Sequence, residues 1–299
     1  MRQFPFLHID AFTNLPFQGN PCAVVLDSDG LSDEIFLKIA REFNLAETAF
    51  VRTCSIADFA VRFFTPAEEI PLAGHPTIAT VFALVETDRI RLEGTTTTIT
   101  LELKAGVIEV EIRALNHQPL RIVMSQLKPK FMRTYEHSEV LPSFGLSEDD
   151  MLTGVPIQTV STGTPQLMIP LRSPEALRKA RLDIAVYELF HRASDFSTPH
   201  LFCLTGATAR GQTFARHFGT PPDLPEDAFT GSATGGMAAY LWRYNLIERP
   251  TFVAEQGHWM NRPGEASVEI VGPRDDIATV RIGGSAVTVM CGQLLLEDP

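Results

Sequence analysis

Lysine is scarce in this chain: only five occur in 299 residues, Lys38, Lys104, Lys128, Lys130 and Lys179, all in polar or turn-like surroundings. A Schiff-base chemistry, which needs a desolvated lysine, therefore has no candidate. Positive charge is also in deficit, with a formal net charge of −11 and the arginines scattered. Nucleic acid is not an expected partner, since phosphate binding needs clustered Lys and Arg. Cys22, Cys54, Cys203 and Cys291 are far apart with no CxxC pair. That spacing excludes a redox dithiol or a cysteine zinc site and leaves reduced, mostly buried thiols as the expectation. Histidines show no HExxH spacing, and the Gly-rich phosphate loop GxxxxGKS/T, the dinucleotide fingerprint GxGxxG and the GxSxG elbow are all missing. Neither a metal nor a cofactor is implied. No apolar run approaches the 18 residues of a membrane span. The stretch Met1–Asp10 is broken by Pro5, His8 and Asp10, so it does not read as a secretory segment. No membrane partner is expected, and the expected compartment is the cytoplasm.

Present instead are a 44% hydrophobic content and enough length for two domains with extensive cores. Phe6–Phe12 and Cys22–Leu26 read as strands joined through the turn signal Gly19-Asn20-Pro21. Ser32 reads as the N-cap of a helix over Asp33–Phe43, where Ile35, Phe36, Ile39, Ala40 and Phe43 share one face. Strands are expected at Glu47–Arg52 and Phe59–Phe64. Thr77–Val85 carries no charge on any face, so a helix there must be buried all round. Thr96–Leu103 and Val107–Arg113 alternate as a hairpin. Beyond Asn116 the plan repeats with added short helices at Ser147–Asp150, Pro174–Ala180 and Ile184–Arg192. The expected fold is α/β, duplicated, each half a curved, mainly antiparallel sheet around a helix, with a cleft between halves. The expected domains are 1–116 with 285–299, and 117–284.

One device is written twice, about half the chain apart. Pro71-Leu72-Ala73-Gly74-His75-Pro76-Thr77 and Asp227-Ala228-Phe229-Thr230-Gly231-Ser232-Ala233 each follow an acidic loop and open an apolar helix with small residues. Helix N-termini offer free N–H groups and the positive end of the helix dipole. Gly74–Thr77 and Gly231–Ala233 are thus candidate cradles for an anionic substrate. Three side chains nearby are candidates for proton chemistry. Glu47 stands between a helix and a strand among apolar neighbours, a context that raises a carboxyl pKa toward the range of a general acid/base. The structural alternative is a half-exposed carboxylate at a strand start. His75 sits at a helix opening, where it serves either to relay a proton or as a packing imidazole. Asp227 precedes Thr230-Gly231-Ser232 and suits catalysis or simple capping equally.

The order and spacing of Asp10-Ala11-Phe12-Thr13, Gly19-Asn20-Pro21, Glu47-Thr48-Ala49-Phe50, Arg62-Phe63-Phe64-Thr65-Pro66, Gly74-His75-Pro76-Thr77 and Glu226-Asp227 with Thr230-Gly231-Ser232-Ala233 resemble the PhzF phenazine-biosynthesis-like family nearly end to end. That family shares its fold with diaminopimelate epimerase and proline racemase. The resemblance implies two pseudo-symmetric α+β domains, each a β-barrel-like sheet around a central helix, with the active site between them and a homodimer as the usual assembly. It implies a cofactor-independent isomerase that shifts a hydrogen on a carboxylated ring, or on another small carboxylate-bearing metabolite. The catalytic residues it implies are Glu47, His75 and Asp227. Substrate-binding positions would be Asn20, Gly74, Thr77, Thr230, Gly231, Ser232 and Ala233.

The racemase branch uses two thiols at the helix openings; here those positions are Ala73 and Thr230, so two-thiol racemisation is disfavoured. Ala46 stands where the family has a serine beside the glutamate, and Ala228 where many members have proline. Two other functions are compatible with the same residues: an amino-acid racemase or epimerase using carboxylates, and a metabolite-binding protein without turnover.

Overall fold

A computed structural model describes residues 1–116, 118–221 and 224–297. The chain divides into two compact units, Met1–Ser125 with Gly283–Pro299, and Gln126–Ile282. Residues 117 and 299, at which the sequence reading sets domain limits, lie outside the described residues.

In the first unit, β1 (Arg2–Ala11) and β2 (Asn20–Val25) form an antiparallel hairpin. Its return turn needs Gly19, whose φ is +59° and where a Cβ would fall on the Ala11 carbonyl. Strand β2 runs parallel to β3 (Glu47–Arg52), which pairs antiparallel with β4 (Phe59–Phe64). Strand β4 pairs antiparallel with the two-residue β5 (Glu69–Ile70) and parallel with β6 (Thr96–Leu103). From β6 the sheet continues antiparallel through β7 (Gly106–Leu115) and β8 (Gln118–Ser125). The C-terminal strand, Ala286–Leu296, pairs antiparallel with β1.

Two helices sit on opposite sides of that sheet for different reasons. Helix α1 (Asp33–Phe43) is amphipathic, capped by Ser32 Oγ accepting from Ile35 N–H, and closed by Asn44 in the left-handed conformation. Its Phe36, Ile39 and Ala40 cover Phe4, Val25, Phe50 and Phe64 on the outer face. Helix α2 (Gly74–Glu86) packs against β1, β2, β3, β8 and the C-terminal strand. The sheet curves around it, and Ile78, Val81 and Leu84 are wholly buried, each contributing roughly 1.5–3 kcal/mol.

The second unit repeats this ladder strand for strand. Strand β9 (Lys130–Tyr135) pairs antiparallel with β10 (Ile157–Ser161), as the C-terminal strand pairs with β1. Strand β10 pairs antiparallel with β11 (Pro165–Pro170), which runs parallel to β12 (Thr198–Cys203). Antiparallel pairing carries on through β13 (Thr213–Phe218) to the two-residue β14 (Glu226–Asp227). Strand β13 also runs parallel to β15 (Thr251–Gln256), whose antiparallel partner is β16 (Gly264–Val271). Strand β17 (Thr279–Gly284) follows.

The short helices α3 (His137–Val140), α4 (Pro174–Lys179) and α5 (Ile184–His191) take the role of α1. They bury Val140, Ala176, Leu177 and Tyr187 with Leu167, Leu201 and Phe214 of the sheet. Helix α6 (Gly231–Arg243) is 13 residues long, as α2 is, and packs on β10, β11 and β16. The expected architecture, a mainly antiparallel curved sheet around a central helix, is present in each unit.

Differences from expectation are local. The two acidic stretches expected to be loops contain β5 and β14, although 222–223 in the second lie outside the described residues. Each short strand is held by an arginine fork: Arg62 donates to both oxygens of Glu69 at 2.7 and 2.9 Å, and Arg216 to both oxygens of Glu226 at 2.8 and 2.7 Å. Ser147–Asp150 forms a single 3-10 turn with a reciprocal capping box instead of an α-helix. No helix among the described residues is long and apolar enough to cross a membrane.

Candidate active site

In the first unit the fold brings Asn20, Glu47 and His75 together. Asn20 begins β2 behind the Gly19 turn, Glu47 begins β3, and His75 is the second residue of α2. Asn20 and His75 are buried, and the Glu47 side chain is 21% exposed. Asn20 Nδ2 lies 3.0 Å from His75 Nδ1. An amide NH2 only donates, so Nδ1 accepts and the neutral ring carries its proton on Nε2. That nitrogen lies 3.2 Å from Glu47 Oε2. The two atoms are close and buried, but not in hydrogen-bonding geometry with each other, beside the N-terminus of α2.

Helix α2 opens without a side-chain cap, because its N-cap is Ala73 and its first turn has no acidic residue. The Thr77 hydroxyl donates back to Ala73 O at 2.7 Å, so it is engaged within the helix. What Gly74 and Thr77 have to offer a ligand is backbone N–H.

Cys22 is the cross-strand partner of Glu47, a neighbour that sequence spacing did not reveal. Burial first, and then the Glu47 charge, push its thiol well above the ordinary range, while a hydrogen bond with the Ala49 backbone opposes them. It stays a neutral SH.

The second unit gathers Asp227, Thr230, Gly231, Ser232 and Ala233 around the start of α6. Thr230 is the N-cap, but its hydroxyl turns away from the helix to donate to Asp227 Oδ2 at 2.5 Å. Gln256, buried at the end of β15, straps this turn. Its Nε2 donates to Asp227 O at 2.8 Å and to Thr230 Oγ1 at 3.2 Å, and its Oε1 accepts from Thr230 N–H at 3.2 Å. Gln126 Nε2 donates to Gly231 O at 2.8 Å, with its Oε1 held by Thr162 Oγ1. A side chain at Gly235 would fall on the Gln126 carboxamide. Gly231 and Ala233 are buried; Ser232 is half-buried, and among the described residues its hydroxyl makes no hydrogen bond.

Sequence reasoning passed over Gln126 and Gln256, which reach the start of α6 from distant parts of the chain. Two of the histidines that lack metal-ligand spacing, His200 and His217, are cross-strand partners, both buried, with their Nδ1 atoms 3.3 Å apart. Among the described residues, no three His, Cys, Asp or Glu side chains converge as a metal-holding group.

Each unit is thus a curved sheet around a central helix, and the first sets an imidazole beside a carboxylate at that helix's opening. Residues 9–292 match the PhzC-PhzF family of phenazine biosynthesis-like proteins, and the chain belongs to that family. A trans-2,3-dihydro-3-hydroxyanthranilate isomerase of Pseudomonas chlororaphis is 34% identical over 297 residues, covering 97% of this chain and 99% of the relative. A Bacillus anthracis phenazine biosynthesis protein of the PhzF family, known as a crystal structure, superposes with a TM-score of 0.86 at 29% identity, covering 99% of this chain and 100% of that one. A hydroxyproline epimerase from Agrobacterium vitis has the same fold at 14% identity, with a TM-score of 0.68 over 100% of this chain and 94% of its own. The named relatives are isomerases, and the chain is an enzyme of that class.

Proposed function

We propose that the chain catalyses a cofactor-independent proton shift on a small carboxylate-bearing molecule, with Glu47 as general acid/base. The observation that supports this most is the cluster Asn20–His75–Glu47, in which Asn20 fixes the imidazole through Nδ1 and His75 Nε2 lies 3.2 Å from Glu47 Oε2. In the forward step a C–H bond of the substrate breaks and its proton passes to Glu47, while the electron pair delocalises toward the substrate carboxylate. Return of the same proton at another carbon completes the isomerisation. His75, beside Glu47, assists the proton transfer, and the first-turn N–H groups of α2 hold substrate negative charge. The same proposal has Asp227 assisting proton movement and Ser232 contributing a hydrogen bond. The carboxylated-ring substrate named for the Pseudomonas chlororaphis relative makes carboxylated dihydroaromatics the first compounds to test. A thiol-based racemase is the poorer reading, because the cysteine beside Glu47 is a protonated, buried one.

The test is proton NMR in D2O on compounds selected by thermal shift from a carboxylate panel. Glu47→Gln is expected to keep its fold and its ligand-induced stabilisation while losing about 10²- to 10⁴-fold of deuterium incorporation. Unchanged incorporation in that variant overturns the assignment of the base. Optical rotation that changes across an amino-acid panel would point to racemisation.

A further inference from the structure

Asp227, Thr230 and Gln256 occupy places at which the first unit has only apolar side chains. Phe63 pairs with Ile70 on β5 as His217 pairs with Asp227 on β14, and α2 and α6 begin at Gly74 and Gly231, so Asp227 corresponds to Ile70 and Thr230 to Ala73. In the parallel pairs, Ala60 lies against Glu102 and Phe214 against Glu255, so Gln256 corresponds to Leu103. A curved sheet with its central helix therefore forms without a polar side chain at any of the three places.

Hydrogen bonds join the three in one consistent direction. The Gln256 side chain is buried; its Nε2 only donates, and it gives one proton to Asp227 O at 2.8 Å and one to Thr230 Oγ1 at 3.2 Å. Its Oε1 accepts from the Thr230 N–H at 3.2 Å. Turning the carboxamide over would set an oxygen against the Asp227 carbonyl and an NH2 against the Thr230 N–H, so its orientation is fixed. A hydroxyl has one proton to give. With Oγ1 accepting from Gln256, that proton goes to Asp227 Oδ2, 2.5 Å away. The helix forgoes a cap in the process: Ser32, Ser173 and Asp183 each accept a first-turn N–H at the start of α1, α4 and α5, whereas the hydroxyl at the N-cap of α6 is given over to the carboxylate. Departures of this kind from what the fold requires mark functional places.

We infer that Gln256 is a positioning residue that acts through Thr230: its carboxamide sets the direction of one hydroxyl proton, and that proton fixes Asp227 Oδ2 at the opening of α6. Asp227 is held at both its carbonyl and one carboxylate oxygen by a side chain 29 positions further on. The catalytic consequence rests on the isomerase reading, in which Asp227 assists proton movement; the direction of the hydrogen bonds does not.

Two measurements on the full chain separate these. The first needs no substrate. In threonine-labelled protein, three-bond carbon couplings report the side-chain torsion of Thr230, with the signal assigned by Thr230→Ser. One rotamer is expected in the wild type, and averaged couplings in Gln256→Leu, which copies the residue of the first unit. Gln256→Met, unbranched and of similar length, gives the same comparison if the leucine variant does not fold. An unchanged single rotamer in a folded variant overturns the positioning role, whether or not any compound is turned over. The second is the deuterium assay. Thr230→Ala copies Ala73 and should lower kcat about ten- to hundredfold with KM little changed, as for the loss of one hydrogen bond to a carboxylate. Thr230→Ser keeps the hydroxyl and should recover most of that rate. Gln256→Leu should lower kcat about tenfold in the wild type but less than about twofold in the Thr230→Ala background. Losses that multiply in full overturn the route through Thr230, and equal kcat for wild type and Gln256→Leu overturns the catalytic consequence.

Discussion

The two units share one ladder but place their polar side chains in different rows. Across β2–β5 the row Val24–Ala49–Phe63–Ile70 is apolar, while its counterpart across β11–β14 is Met168–His200–His217–Asp227. Two residues earlier the contrast changes character: Cys22 pairs with Glu47 in the first unit, and Gln166 with Thr198 in the second, where Thr198 Oγ1 donates to Gln166 Oε1 at 2.7 Å. The sheet thus accepts either kind of row. Chemistry was laid onto a repeated scaffold and did not come with it.

The arginine forks test how far the scaffold really is the same. Replacing Arg62 or Arg216 by Met takes the fork from a largely buried glutamate, Glu69 keeping only Lys104 Nζ at 3.2 Å, and is expected to cost about 3–5 kcal/mol in urea unfolding. Arg216→Met should be the worse of the two. Its guanidinium also donates to Leu177 O and Ala180 O at 3.2 and 2.8 Å, whereas the extra partner of Arg62 is the exposed Asp33, a contact worth little. The pH dependence has a definite sign for the first unit. The hydrogen bonds from Arg62 hold the Glu69 carboxyl below its ordinary range, so its contribution is present at neutral pH and lost as the pH falls through that lowered value. Arg62→Met should flatten that acid limb. Equal losses for the two variants would mean that the α4 contacts carry no weight.

A smaller effect separates the two central helices. Aligned from their first residues, Ile78 of α2 corresponds to Gly235 of α6. The first is a wholly buried side chain; the second is empty space taken by the Gln126 carboxamide. Gly235→Ala is expected to destabilise by about 1–3 kcal/mol through overpacking. Adding Gln126→Ala should recover most of that loss, which a double-mutant cycle in thermal unfolding would read. Additive losses would show that Gln126 is not what reserves the glycine.

Much of this was legible in the chain. The Asp33–Phe43 helix and its Ser32 cap follow from periodicity and capping chemistry, and a helix buried on all sides follows from the chargeless run Thr77–Val85. What was hidden depends on register. His200 and His217 are 17 positions apart and meet only because β12 and β13 pair where they do. Cys22 meets Glu47 across a parallel ladder for the same reason. Strands β5 and β14, two residues each, are too short to show a period and exist through their arginine forks. Strand β9 is mostly exposed, so its residues carry little alternation to read. Gln126 and Gln256 act through carboxamides that reach across the fold, and no local pattern announces such contacts.

The smallest expected effect bears most directly on the asymmetry of the helix openings. Helix α6 has a hydroxyl at its N-cap, diverted to Asp227, while α2 has only Ala73. Ala73→Ser supplies α2 with a side chain able to accept from its own first-turn N–H groups, and should stabilise the unit by about 1 kcal/mol. If those N–H groups hold the substrate carboxylate, the same hydroxyl competes with it, and KM should rise severalfold while kcat changes less. A gain in melting temperature with KM unmoved would leave the Asn20–His75–Glu47 cluster intact and remove the anion cradle from α2. The asymmetry would then lie in the side chains beside each opening, Glu47 and His75 at α2 and Asp227 at α6.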